Sequence, residues 1–143
     1  MPASIYKKDA EMLEGHAPFG SGECVALPQA VTDVGHTSGW FPGSRVADLA
    51  YLNPGTVIAN FMIQGRYSKF PNRHGYHAAL FIGFGPRSMA TGNMSCIYVM
   101  DQWNGRRDNR VLQRLIRSYS AEEAGRKRIK PCDNANEYYV VQK

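Results

Sequence analysis

Residues 77–85 have the sequence HAALFIGFG, a nearly unbroken apolar run that begins with a histidine. Apolar side chains on both faces are typical of a strand buried in the centre of a sheet. Neither this run nor any other stretch approaches the roughly 20 apolar residues that a membrane-spanning helix needs. The run therefore predicts a central strand of a folded protein, with the polar imidazole of His77 at its beginning.

Further strands are predicted on both sides of this run. LNPGTVIANFMIQGRY (52–67) starts with an Asn-Pro-Gly turn and continues with β-branched and apolar residues. CIYVMDQW (96–103) and NEYYVVQ (136–142) have the same character, whereas VLQRLIR (111–117) fits a strand or a helix equally well. Consecutive strands with short connections, placed after a helix, indicate an α+β domain built on an antiparallel sheet.

A helix is predicted before these strands. From Cys24 to Val34 the apolar residues recur at helical spacing. Ser21 is a candidate N-cap, which would place Cys24 in the first turn of the helix. Pro28 favours a kink or a later start, because its ring would clash with the backbone carbonyl four residues before it.

The composition is that of an ordinary folded protein. The 143 residues are 43% hydrophobic and 20% charged, without repeats or linkers, so we predict one domain over residues 1–143. No apolar core follows the lysines at the N-terminus, so we expect synthesis in the cytoplasm without a signal peptide. The net charge of +5 suits a polyanion or an acidic protein, or is simply a solvated basic face. No nucleic-acid recognition motif accompanies it.

Three residues supply the groups that amide hydrolysis by a thiol requires. Cys24 near a helix start is suited to thiolate formation, and the free N–H groups there can bind an oxyanion. His77 can take the thiol proton and return it to the leaving amine. If the two central strands pair so that His77 lies opposite Asp101, the carboxylate orients the imidazole; a slip of one residue would offer Gln102 instead. This chemistry needs no metal or organic cofactor.

Each residue also has an ordinary structural explanation, as a buried inert cysteine, a strand-end histidine or a turn-capping aspartate. Cys96 and Cys132 could pair in an oxidising compartment, which would leave Cys24 as the free thiol. His74 and His77 provide two imidazoles, but no third ligand lies near them in the sequence. We therefore predict no metal site.

The motifs GSGECVALPQAV, LNPGTVIANF, HAALFIGF and IYVMDQW together resemble the NlpC-type and CHAP papain-like cysteine peptidases and amidases. In that superfamily the nucleophile opens a helix, the histidine begins a core strand, and a third polar residue lies on the following strand. The resemblance runs from about Gly20 to Trp103. It implies that Cys24 is the nucleophile, His77 the general base and Asp101 the residue that orients the base.

Within this superfamily the chain is most similar to the type VI secretion amidase effectors, and its GxGECVAL and DQW motifs are most similar to their third family. This resemblance implies a toxin that acts in the periplasm of a rival bacterium on amide bonds of peptidoglycan stem peptides or cross-links. It also implies a cognate immunity protein. The alternative is a non-catalytic papain-like module that binds cell-wall peptides or a partner protein.

Overall fold

The computed structural model describes residues 3–143 as a sheet with short helices, and the predicted α+β class with an antiparallel sheet is confirmed. The elements are α1 (Ala26–Val31), β1 (Phe41–Arg45), β2 (Val57–Ala59), β3 (Met62–Gln64), β4 (Tyr67–Lys69), β5 (Ala78–Phe84), β6 (Cys96–Asp101), β7 (Leu112–Arg117), α2 (Ala121–Lys127) and β8 (Tyr139–Gln142). Six strands pair in the order β1-β8-β2-β5-β6-β7, and β3 with β4 forms a separate hairpin. None of the helices in residues 3–143 has the length and apolar character needed to cross a bilayer.

The predicted central strand is β5, and side chains cover both of its faces. Alternate residues along β5 belong to two different hydrophobic clusters, as the period-2 geometry of a strand requires. Leu80 packs in one cluster with Leu27 of α1, and Phe81 packs in the other with Tyr138. Packing on both faces fixes β5 in the sheet, and with it the position of His77 directly before the strand.

The helix after Cys24 starts later than the capping pattern predicts. α1 begins at Ala26, so the prediction that Cys24 lies in its first turn is wrong, and Cys24 lies in the turn before it. Ser21 caps that turn instead of the helix, since its Oγ accepts the N–H of Glu23 at 3.3 Å. Pro28 indicated a late start from the sequence, and it accounts for the late start in the structure. Because α1 begins at Ala26, Pro28 is its third residue, where no N–H is needed, and Cys24, four residues before it, lies outside the helix.

Other boundaries also differ from the predictions. The strand predicted over 52–67 is interrupted after β2, where the buried side chain of Asn60 bonds to other parts of the backbone. Residues 111–117, which fitted either element, contain the edge strand β7. β1 was not predicted, because Pro42 and Gly43 lie within it and both residue types disfavour strands. α2 was also missed, although Ser120 caps it through the N–H of Glu123 at 3.1 Å, a recognisable capping sequence.

The Asn-Pro-Gly turn joins the N-terminal segment to the central strands. The N–H of Gly55 donates to the carbonyl of Phe81 at 2.7 Å, and the N–H of Phe81 donates to the carbonyl of Thr56 at 2.8 Å. Gly55 has φ of +90°, and a Cβ added there would lie 2.6 Å from the carbonyl oxygen of Tyr6. Both the backbone conformation and the close approach therefore require glycine at this position.

We expect Gly55→Ala to lower the free energy of unfolding by about 2 kcal/mol or more, because it adds left-handed strain to a backbone clash. Gly39→Ala is the matched control: Gly39 has no left-handed φ and no atom within 4 Å of the added Cβ. We expect this control to change stability by less than about 0.5 kcal/mol. Urea unfolding of both variants measures the difference, and equal stabilities would contradict this account of the turn.

Candidate active site

A cavity of about 450 Å³ opens where three segments of the chain meet. The turn before α1 contributes Cys24, the loop leading into β5 contributes His77, and the segment after α2 contributes Lys130. Trp103, just beyond β6, closes one side, with its ring edge-to-face to His77 at a centroid distance of 6.0 Å. The structure thus brings the predicted nucleophile and the predicted base to one cavity.

The predicted contact between His77 and Asp101 is present, although by a different register. His77 Nε2 lies 2.9 Å from Asp101 Oδ2, and both side chains are buried. β5 and β6 pair Leu80 with Met100, and continuing this register places Asp101 diagonally across from His77. The directly opposite register considered from the sequence is not the one present, and the observed pairing differs from it by two residues. Because a shift of two preserves the face of the sheet, the two side chains still meet.

Asp101 also receives hydrogen bonds from two arginines. Arg106 Nη1 lies 3.1 Å from Oδ1, and Arg114 Nε lies 2.9 Å from Oδ2. Both guanidinium groups also stack on the ring of Trp103, at 4.1 and 5.1 Å from its centroid. Burial alone would raise the pKa of Asp101, but the hydrogen bond from His77 and the charges of His77 and the two arginines lower it below its ordinary value. A stable carboxylate therefore lies directly behind the imidazole.

The same contacts determine the protonation of His77. Burial lowers the pKa of the imidazole, but the hydrogen bonds and charges of Asp101 and Cys24 outweigh it and raise the pKa to about 9. The ring is then an imidazolium at neutral pH. Since Nε2 is bonded to Asp101, Nδ1 is the nitrogen that can serve the Cys24 thiol.

Gln102 holds the turn that precedes Cys24. Its Oε1 accepts the N–H of Phe19 at 2.8 Å, and its Nε2 donates to the carbonyls of Phe19 and Glu23 at 3.0 and 2.8 Å. The side chain is buried. The alternative in which Gln102 orients His77 is therefore wrong. The residue fixes the backbone next to Cys24 instead.

Asn60 holds the backbone of His77 in a comparable way, and it was not among the site residues predicted from the sequence. Its Oδ1 accepts the N–H of His77 at 3.0 Å, and its own N–H donates to the carbonyl of His77 at 3.0 Å. Its Nδ2 donates to the carbonyls of Pro131 and Glu137 at 3.1 and 2.9 Å. An asparagine inside the apolar stretch TVIANF was the available signal, because a fully buried amide needs specific partners.

Backbone donors are available beside the nucleophile. Within residues 3–143, the N–H groups of Cys24 and Val25 donate no hydrogen bond to another protein group. They lie immediately before α1, where the chain has not yet entered the helical pattern. Such groups can stabilise a negative oxygen on a carbon that the adjacent thiolate attacks.

The structure also shows the surroundings of the remaining cysteines and histidines. All three cysteines are free thiols, so Cys96 and Cys132 are not joined; Cys96 is buried and Cys132 lines the cavity. The two candidate imidazoles have different partners, since His74 Nε2 lies 2.8 Å from Lys130 Nζ whereas His77 bonds to Asp101. No group of three or more His, Cys, Asp or Glu side chains within residues 3–143 could hold a metal ion.

Three comparisons with known proteins agree. Residues 3–141 match the family described as domesticated amidase effector 2 (Dae2). The chain is 36% identical over 142 residues to the type VI secretion amidase effector 2 protein of Salmonella typhi. The aligned region covers 94% of this chain and 92% of that protein. It is also similar to the solved structure of type 6 secretion amidase effector 2 (Tae2), with a TM-score of 0.75 and 30% identity over 96% of this chain and 93% of that one.

These matches confirm the predicted resemblance to the type VI secretion amidase effectors and correct one detail. The motifs GxGECVAL and DQW indicated the third family of these effectors, whereas all three matches are to the second. The two motifs cover the turn that contains Cys24 and the end of β6. They are too short to separate one group of effectors from another.

We expect Gln102→Leu to lower the free energy of unfolding by about 2 kcal/mol, because it removes three hydrogen bonds to the backbone of Phe19 and Glu23 and leaves the N–H of Phe19 without a partner. We also expect it to slow alkylation of Cys24 by about tenfold, since the turn no longer holds the thiol beside His77. Urea unfolding and mass mapping of iodoacetamide-treated protein measure the two effects. Gln113→Leu, an exposed residue of β7, is the control and should change neither. Unchanged stability and alkylation in Gln102→Leu would show that the glutamine does not hold the turn.

The raised pKa of His77 predicts that stability depends on pH. The folded-state pKa of about 9 exceeds the ordinary 6.5, so the stabilisation is complete below pH 6.5 and is lost as the pH rises to about 9. The loss should amount to at most about 3 kcal/mol, measured by urea unfolding at a series of pH values. His77→Gln should lose this dependence, whereas His36→Gln, at an exposed site, should keep it. A wild-type stability that stays constant from pH 6.5 to 9 would contradict the assignment.

Proposed function

The chain belongs to the domesticated amidase effector 2 family, and on that basis we propose that it is an antibacterial cysteine amidase that hydrolyses amide bonds in peptidoglycan stem peptides or cross-links. The observation that carries this proposal is that Cys24 and His77 line one cavity, with the buried Asp101 bonded to His77 behind it. The side chains are a thiol and an imidazole that is bonded to a buried carboxylate. Backbone N–H groups without a hydrogen-bond acceptor within residues 3–143 lie beside the thiol. A binding module needs none of these together, so the non-catalytic alternative is not favoured.

The first half of the reaction acylates the enzyme. His77 as an imidazolium favours the thiolate of Cys24, which attacks the amide carbon while the N–H groups of Cys24 and Val25 bind the developing oxyanion. When the C–N bond breaks, His77 Nδ1 gives its proton to the leaving amine. The product of this half is a thioester on Cys24 and a neutral imidazole.

The second half releases the acid. A water molecule loses a proton to His77 Nδ1 and attacks the thioester, and the C–S bond breaks to regenerate the thiolate–imidazolium pair. Throughout, Asp101 accepts the Nε2–H and keeps the ring in one orientation. Arg106 and Arg114 keep this carboxylate charged and in place, so it directs the ring without taking the proton.

The setting of the reaction follows from the family. The relative from Salmonella typhi is a type VI secretion effector, and we propose the same delivery for this chain, with the periplasm of a target bacterium as its place of action. A toxin of this kind requires an immunity protein in the producing cell, and the net charge of +5 suits an acidic inhibitor. We keep the prediction that residues 1–143 act as one domain, without nucleic-acid binding or membrane insertion.

Incubation with purified peptidoglycan sacculi tests the function. We expect the wild-type protein to remove one specific amide bond, seen by mass analysis of the released muropeptides, and Cys24→Ala to lower the rate at least 10³-fold. Cys96→Ala is the matched control, because that cysteine lies on β6 outside the cavity, and it should retain hydrolysis. Hydrolysis that persists in Cys24→Ala, or is absent from the wild type, would overturn the proposal.

A further inference from the structure

One wall of the cavity carries basic side chains that form no ion pair with a carboxylate within residues 3–143. Lys130 Nζ lies 2.8 Å from His74 Nε2, and both residues line the cavity with Cys24 and His77. Arg73, beside them, lies over the ring of Tyr76 at 5.6 Å from its centroid. By contrast, Arg114, which also lines the cavity, is bonded to Asp101. Glu23 and Asp133 line the same cavity, but neither forms an ion pair with Lys130 or Arg73, and Asp133 lies 3.9 Å from Arg114. The charge of Lys130 therefore has no ion-pair partner within residues 3–143.

Lys130 keeps most of its capacity to bind an anion. An ammonium group has three N–H donors, and one of them is directed at the imidazole of His74, which can accept it only in the neutral form. The other two donors and the full charge remain. The contact with His74 therefore steers the ammonium group without neutralising it, unlike an ion pair with Asp or Glu.

The segment that carries Lys130 is fixed relative to the reacting atoms. Asn60, which holds the backbone of His77 from both sides, also donates to the carbonyl of Pro131, the residue after Lys130. The N–H of Cys132 donates to the carbonyl of Gly75 at 3.0 Å, which joins the same segment to the loop before the base. The backbone that carries Lys130 is thus held beside the loop that carries His77, and an anion bound by Lys130 would lie in the same cavity as the scissile bond.

We propose that Lys130, positioned by His74 and assisted by Arg73, binds a carboxylate of an acidic peptide substrate beside the amide that is cleaved. This inference rests on the proposed function and specifies its substrate. Stem peptides carry free carboxylates, and a lysine binds such a group as a point charge with little demand on its orientation. The cavity of about 450 Å³ falls within the range of sites that hold small ligands, so several peptide atoms besides the carboxylate fit.

The test compares muropeptides with free carboxylates against the same muropeptides after their carboxylates are converted to carboxamides with carbodiimide and ammonia. For the wild type we expect amidation to raise KM at least tenfold with kcat changed less than about threefold. Lys130→Met should raise KM for the free carboxylate by a similar factor and leave the amidated substrate unaffected. Lys130→Arg should restore the preference, and Lys127→Met, whose lysine pairs with Glu123 on α2, should behave as wild type.

The outcomes separate this inference from the function on which it rests. Hydrolysis of both substrates with equal KM by the wild type would overturn the carboxylate site and leave the amidase function standing. An equal loss on both substrates in Lys130→Met would also overturn it, because that result shows a structural role. Failure of the wild type to hydrolyse either substrate would overturn the amidase function, and the carboxylate site with it.

Discussion

The site depends on a single buried charge, the carboxylate of Asp101 at the end of β6. Removing a carboxylate from water is costly, and this one is stable because His77, Arg106 and Arg114 all donate to it. These partners come from the start of β5, from the loop after β6 and from β7. One carboxylate thus joins three neighbouring parts of the sheet, and the orientation of the imidazole is a result of how the sheet itself is held together.

Two consecutive residues, the last of β6 and the one after it, serve the two halves of the site. Asp101 points to the base, and Gln102, on the other face, bonds to the turn that carries the nucleophile. Asn60 completes the arrangement by holding the backbone of His77. The catalytic geometry is therefore supported by two buried amides and a carboxylate, all at or beside the ends of core strands. Such support is what keeps reacting groups within tenths of an ångström of their productive positions.

The sequence predicted the parts of this structure that depend on local pattern. The apolar run after His77 indicated β5, and the residue types of Cys24, His77 and Asp101 indicated the site, because a thiol, an imidazole and a carboxylate in this order suit one kind of chemistry. The register of β5 on β6 stayed open in the sequence, since the loop between them is too long to determine it, and the observed register differs by two residues from the one considered. The roles of Arg106 and Arg114 were missed because a basic cluster usually indicates a charged surface, and only the folded chain shows that both bond to a buried carboxylate.

The alternation between Asp101 and Gln102 has a consequence for how this chain can change over evolution. Inserting or deleting one residue in β6 would exchange the faces of the two side chains, and both halves of the site would be lost at once. The loop before β6, in which Met89 is fully exposed, holds no such side chain and can change in length. Relatives that keep this chemistry should therefore differ in length within residues 88–93 and hold the spacing between β6 and Trp103 constant.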